Sequence, residues 1–175
     1  MSENETDGNS RAESVTPPLY VAVVGPGDAD EREQQLACGV GRLLAEYGAV
    51  VVTGGLGGVM QAACEGASLA GGTSIGLLPG SDRRAANPHV TIPIATGLGE
   101  GRNLLVVQTA DVVIAIGRSA GTLSEIALAA GQDKPVVLLA SYSEDLLAGC
   151  VTAGTPKEAA DLALRLAKAG ARLSN

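Results

Sequence analysis

The fold is decided by Asp111 to Ala130, DVVIAIGRSAGTLSEIALAA. A continuous apolar run, Val112 to Ile116, is the pattern of a strand buried on both faces of a parallel sheet. Gly117-Arg118-Ser119-Ala120-Gly121 is a turn of small residues around one arginine. Thr122-Leu123-Ser124-Glu125 then opens a helix running through Ala130, and Thr122 with Glu125 three places on has the spacing of a capping box. A helix N-terminus thus faces a tight turn at the C-terminal end of a strand. Free N–H groups and the helix dipole make that corner an anion site by geometry.

Composition narrows what the anion can belong to. The 175 residues carry a net charge of −7, which argues against nucleic acid, since its phosphates require a basic footprint. With no Phe or Trp, and only Tyr20, Tyr47 and Tyr142 as aromatics, the core must be aliphatic. Cys38, Cys64 and Cys150 are scattered and odd in number, which fits buried thiols in a reducing cytosol and a cytoplasmic protein. His89 is the sole histidine, so no histidine-based metal cluster is expected. No membrane span and no signal peptide are expected either.

Residues 1–17 read as a disordered, acidic N-terminal tail closed by Pro17-Pro18, and 18–175 as one domain. Leu19 to Val24 is the first strand, with Gly25-Pro26-Gly27-Asp28 as its exit. Asp30 is the N-cap of a helix to about Glu46, with Leu36, Val40, Leu43 and Leu44 on one face. Ala49 to Thr53 is the second strand. Gly54-Gly55-Leu56-Gly57-Gly58 leads into a helix from about Val59 to Ala70, and Thr73 to Leu78 is the third strand. After a polar loop, Val90 to Ile94 fits a short edge strand. A glycine-rich turn at Gly97 to Gly101 precedes a helix from about Arg102 to Thr109. Beyond the central unit come a strand at Val136 to Leu139, a helical turn at Ser143 to Leu147 and a short strand at Cys150 to Ala153. The last helix runs to about Ala169, with Thr155 as N-cap and Pro156 at its first position. Alternating apolar strands and helices predict a three-layer α/β/α sandwich on a mainly parallel sheet. Ligands of such sheets sit beyond the strands' C-terminal ends, the edge that holds the turns at Gly25, Gly54 and Gly117.

Several motifs can be weighed there. Gly25-Pro26-Gly27 starts like a dinucleotide fingerprint, but Asp30 takes the third glycine position and Thr53 stands where an acid would bind ribose. No Gly-Lys-Ser/Thr of a P-loop occurs. Gly117-Arg118-Ser119-Ala120-Gly121 fits the G-x-S-x-G of a nucleophile elbow, yet no histidine follows it, so Ser119 reads as an anion-contacting turn residue. The cluster Gly54, Gly55, Gly57, Gly58 with Met60 allows close backbone approach to a phosphate or sugar. Arg102 opens its helix against the dipole and therefore calls for an anionic partner. Glu125 reads either as a cap or as a carboxylate for chemistry.

Taken together, GG-L-GG-VM, GEGRN and GTLSE resemble the LOG-like (SLOG) nucleotide-binding superfamily from Tyr20 to about Leu139. That superfamily was often labelled "possible lysine decarboxylase" and is distantly related to the DNA-processing protein DprA. Within it, the chain resembles the bacterial branch of Rossmann-like nucleotide-binding proteins, which is itself similar to molybdenum cofactor carriers. The resemblance implies a Rossmann-like fold and a phosphorylated ligand: a purine mononucleotide, or a nucleotide-like cofactor of the molybdopterin type. It also implies a homo-oligomer, dimer or tetramer. In LOG enzymes a PGGxGT-x-x-E motif and an upstream arginine cleave the N-glycosidic bond of cytokinin riboside 5'-monophosphates, releasing base and ribose 5-phosphate. By position the arginine is Arg102, and the motif's end is Gly121, Thr122 and Glu125. Gly117, Arg118 and Ser119 replace its Pro-Gly-Gly, which narrows the backbone's approach to phosphate while adding charge. The decarboxylase label lacks chemical support: pyridoxal phosphate needs a Schiff-base lysine, and Lys134, Lys157 and Lys168 all read as polar or helix-surface residues.

Overall fold

The computed structural model describes residues 17–143, 145 and 149–173. The expected tail at 1–16 and most of the expected turn at Ser143 to Leu147 lie outside them. Seven strands, β1 Tyr20–Val24, β2 Val50–Thr53, β3 Ser74–Leu78, β4 Ile92–Ala95, β5 Val112–Ile116, β6 Val136–Leu139 and β7 Cys150–Ala153, form one sheet ordered β4-β3-β2-β1-β5-β6-β7. Every pairing is parallel. The chain lays β1 to β4 outward in one direction, then returns across β1 to place β5 on its other side. The switch point is therefore the gap between β1 and β5, where Val24 lies beside Ala115.

Among the described residues five α-helices cover the sheet: α1 Glu31–Glu46, α2 Val59–Leu69, α3 Arg102–Thr109, α4 Ala120–Ala130 and α5 Pro156–Leu173. Alternation along the strands sorts them into two layers. Val21, Val23, Ile114 and Ile116 pack with α1, α2 and α5, whereas Ala22, Val24, Val113 and Ala115 pack with α3 and α4. All five residues of β5 are fully buried, as the apolar run requires. At about 1.5–3 kcal/mol for each Val or Ile taken from water, this strand is a major source of the fold's stability. No helix among the described residues is long and apolar enough to cross a membrane.

Two local details set element positions. Asp30 and Glu33 form a reciprocal capping box at the start of α1. Helices α1 and α2 cross in close contact through Gly41 and Gly66; a Cβ on either would overlap a backbone carbonyl, of Ala63 or Cys38 respectively. The last helix extends past the expected Ala169 to Leu173.

The start of α4 corrects the expected capping box. Its N-cap is Ser119, not Thr122: Ser119 has extended backbone, and its Oγ accepts from the Thr122 N–H at 3.0 Å. Capping requires a side-chain oxygen three residues before the donor, and Ser119 supplies it one turn earlier than the Thr122–Glu125 pair. Glu125 is thereby released from capping and lies buried in the second turn.

Candidate functional site

Three strand-to-helix loops meet above the switch point, and the protein's own bonds lock them. The β1 exit carries Gly25 to Asp30. It is bound to the β2 exit by a Val59 N–H to Pro26 carbonyl bond of 3.0 Å. Gly58, at φ +61°, sits so close to Pro26 and Gly27 that a side chain would strike their backbone. The glycine loop is held from outside by Asn87, whose Nδ2 donates to the Leu56 carbonyl at 2.9 Å and whose N–H donates to the Gly55 carbonyl at 2.9 Å. The β5 exit is held by the segment after β6. Ser141 Oγ donates to the Gly117 carbonyl at 2.6 Å, and the Tyr142 hydroxyl donates to the Ser119 carbonyl at 3.1 Å. Gly117, at φ +69°, rests on the Glu33 carboxylate and Pro26.

Between these loops and the start of α3 is a cleft of about 200 Å3. It is lined by Val24, Gly25, Gly27 and Gly121 and by the apolar residues Leu56 and Met60. Its polar groups are Glu100, Arg102, Asn103, Ser119 and Glu125. Arg102 is 6% exposed, Asn103 7% and Glu125 7%. The Arg102 guanidinium lies against Gly54, where a Cβ would collide with its Nη1 and Cζ. Neither Nε nor Nη1 of Arg102 has a hydrogen-bond partner, and no carboxylate among the described residues reaches ion-pair distance of it. A buried guanidinium with two unbonded nitrogens and no ion-pair partner costs several kcal/mol of desolvation, which Glu125 and Glu100 offset only in part, so its presence needs an explanation beyond folding.

Electrostatics point the same way. Burial lowers the Arg102 pKa, with Glu125 and then Glu100 acting against that. Burial raises the Glu125 carboxyl from 4.5 to about 7; Arg102 opposes the rise and Glu100 adds to it. The carboxyl is thus poised to gain or lose a proton near neutrality. The three thiols are free, and burial pushes each upward, which suits inert packing residues.

The structure brings together Gly25, Met60, Arg102, Ser119, Gly121 and Glu125 in one cleft. Gly54, Gly55, Gly57, Gly58, Gly117, Arg118 and Thr122 do not line it. Gly54 makes room for Arg102, and Gly55 for Gly76. Gly57 faces the Gly27 carbonyl at ordinary contact distance. Thr122 is fully buried, its hydroxyl 2.7 Å from Ser119 Oγ. Arg118 turns outward: its Nε donates to the Ser141 carbonyl at 2.9 Å, and its guanidinium stacks 5.7 Å above the Tyr142 ring. Sequence reasoning missed Glu100 and Asn103 as lining residues, and Asn87, Ser141 and Tyr142 as the clamps. Of these, Glu100 and Asn103 flank Arg102 in GEGRN and could have been found there. The expected surface lysine at 134 is instead half-buried, its Nζ on the carbonyls of Val107, Gln108 and Ala110 at 2.7, 2.8 and 2.5 Å, closing the far end of α3.

A seven-stranded parallel sheet with its cleft at the β1/β5 switch point defines a Rossmann-like class of protein. Within that class the chain belongs to the SLOG cluster4 family, whose model matches residues 18–167. It is similar to the molybdenum cofactor binding protein of Rippkaea orientalis, with 38% identity, 83% of this chain and 95% of that one covered, and a TM-score of 0.79. It is also similar to the molybdenum cofactor carrier protein of Chlamydomonas reinhardtii, with 35% identity, 86% and 98% covered, and a TM-score of 0.78. DNA processing protein A of Helicobacter pylori, at 24% identity over 85% of this chain and 81% of that one, with a TM-score of 0.64, shares the fold.

Proposed function

We propose that this protein binds a phosphorylated small molecule, with the phosphoryl group held at Arg102. The observation that carries the reading is the buried guanidinium without a partner at the β1/β5 switch point. Asn103, Ser119 and the backbone at Gly25, Gly27 and Gly121 are the remaining groups positioned to hold such an anion. The cleft is smaller than the roughly 300–1,000 Å3 of sites that enclose a whole ligand. It therefore takes the phosphate end, while the rest of the ligand extends beyond it past Leu56 and Met60. Among phosphorylated ligands, a molybdopterin-type cofactor as cargo is favoured over a purine mononucleotide, because two solved relatives above 30% identity are named for that cofactor. The chain acts as a homo-oligomer, as its resemblance to LOG-like proteins implies. The test is mass spectrometry of whatever co-purifies with the native protein, followed by melting curves with AMP, GMP and a pterin monophosphate. A phosphorylated ligand in the first, or a rise in melting temperature in the second, supports the reading. No ligand and no shift would overturn it.

One observation favours a second reading, a phosphoribohydrolase. A carboxyl with a pKa of about 7 beside an arginine is suited to general acid–base work. Glu125 would take a proton from water as it attacks the anomeric carbon; the C–N bond breaks, releasing the base and ribose 5-phosphate. Incubation with AMP would yield adenine, and Glu125→Ala would abolish the release. Intact AMP after prolonged incubation with folded protein excludes this reading and leaves binding standing.

A further inference from the structure

The cleft holds one cation and two acids, and this charge count has a consequence for any anion that enters. Arg102 supplies one positive charge, while Glu100 and Glu125 face the same small volume. Neither acid is ion-paired with the guanidinium, and Glu125 makes no hydrogen bond among the described residues. The remaining lining groups, Val24, Gly25, Gly27, Leu56, Met60, Asn103, Ser119 and Gly121, carry no charge. With both acids ionised the cleft is net negative and repels a phosphate. With one of them protonated it is neutral, and the carboxyl becomes a hydrogen-bond donor to the oxyanion instead of a competing acceptor.

We propose that this cleft admits an oxyanion only together with a proton, which Glu125 takes up, and that Glu100 is the specificity-determining residue whose charge enforces the uptake. The inference rests on the reading that a phosphoryl group occupies the cleft. Glu125, not Glu100, is the group protonated, because it is buried in α4 while Glu100 is exposed in the 3-10 turn Gly99–Gly101. An arriving phosphate adds negative charge beside a carboxyl that burial and Glu100 already hold near neutral pKa, and so drives it further toward the protonated form. The proton comes from solvent and returns to it on release. The cleft consequently distinguishes phosphomonoesters by the pH at which they are offered, gripping them below neutrality and releasing them above it.

The experiment is titration calorimetry of the full chain with AMP and with inorganic phosphate at pH 8, in buffers of different ionisation enthalpy, so that proton exchange is read directly. AMP is fully dianionic there, its second phosphate pKa being about 6. About one proton is expected to be taken up per ligand bound, and affinity is expected to fall roughly tenfold per pH unit between pH 7 and 9. In Glu125→Gln, whose amide stays neutral, the uptake disappears and the affinity becomes flat across that range. In Glu100→Gln, where Arg102 and an ionised Glu125 already leave the cleft neutral, the uptake at pH 8 falls well below one proton and the affinity varies less with pH; uptake of a full proton by this variant would overturn the role of Glu100. Binding by the wild type with no proton exchange would overturn the proposal while leaving the phosphate site intact. Binding of neither ligand from pH 6 to 9 would overturn the site and the proposal together.

Discussion

Replacing Glu125 by Gln should make the protein more stable at pH 8, even though it alters the cleft. The carboxyl is held at about 7 in the folded chain against 4.5 when unfolded. Between those values the folded state keeps a proton that the unfolded state has released, so stability falls as pH rises from 4.5 to 7 and is level above it. At about 1.4 kcal/mol per pH unit, the loss is about 3 kcal/mol. Glutamine has nearly the same shape and no charge to desolvate, so the variant escapes that loss. The assay is urea unfolding of ligand-free wild type and Glu125→Gln at pH 5, 6, 7 and 8. The difference between the two proteins isolates this one group from every other titration. The gap should widen by about 3 kcal/mol in favour of Gln between pH 5 and 8, equivalent to a melting difference of roughly 6–12 °C for a domain of this size. Parallel profiles, or a gap that narrows with pH, would show that Glu125 is not held protonated by burial.

Other substitutions test the scaffold around the cleft. Gly54→Ala puts a methyl group where the Arg102 guanidinium lies; the flexible arginine should give way, leaving the fold intact but weakening AMP binding at least tenfold by calorimetry. In Gly41→Ala the methyl group meets the Ala63 backbone carbonyl, which cannot swing aside, so denaturant unfolding should show a loss of about 1–3 kcal/mol or more. Lys134→Met removes the ammonium shared by three carbonyls at the end of α3. A loss of about 1–3 kcal/mol is expected, with faster hydrogen exchange in the last turn of that helix.

How much of this was legible in the sequence follows from the range of each interaction. The run Val112 to Ile116 gives β5 its observed bounds, and the same holds for Val136 to Leu139 and Cys150 to Ala153. Apolar runs bounded by turn residues are local signals. So is Asp30 at the start of α1, with Glu33 three places on. The glycines illustrate the opposite case. Glycine at 54 or 58 signals that something comes close, but not whether that is a ligand or the chain itself; here it is Arg102 and Pro26. At the start of α4 two capping patterns overlap, and the backbone of Ser119 decides between them. Arg118 adds charge where the family motif meets phosphate, but its direction is fixed by Ser141 and Tyr142, more than twenty positions away. Arg102 stands out in the sequence as a cation in a first helical turn and Glu125 as a cap or a reactive carboxylate, and the resemblance pairs them; their burial without an ion pair is visible only in three dimensions.

The central claim concerns where a phosphoryl group binds, and a crystal structure with AMP or a pterin monophosphate tests it most directly. The phosphorus should lie in the cleft between Gly25, Ser119 and Arg102, with an oxygen within hydrogen-bond distance of the guanidinium. Density instead in the open groove beside Tyr47, where Lys157, Arg165 and Lys168 offer a rival set of cations, would contradict the account.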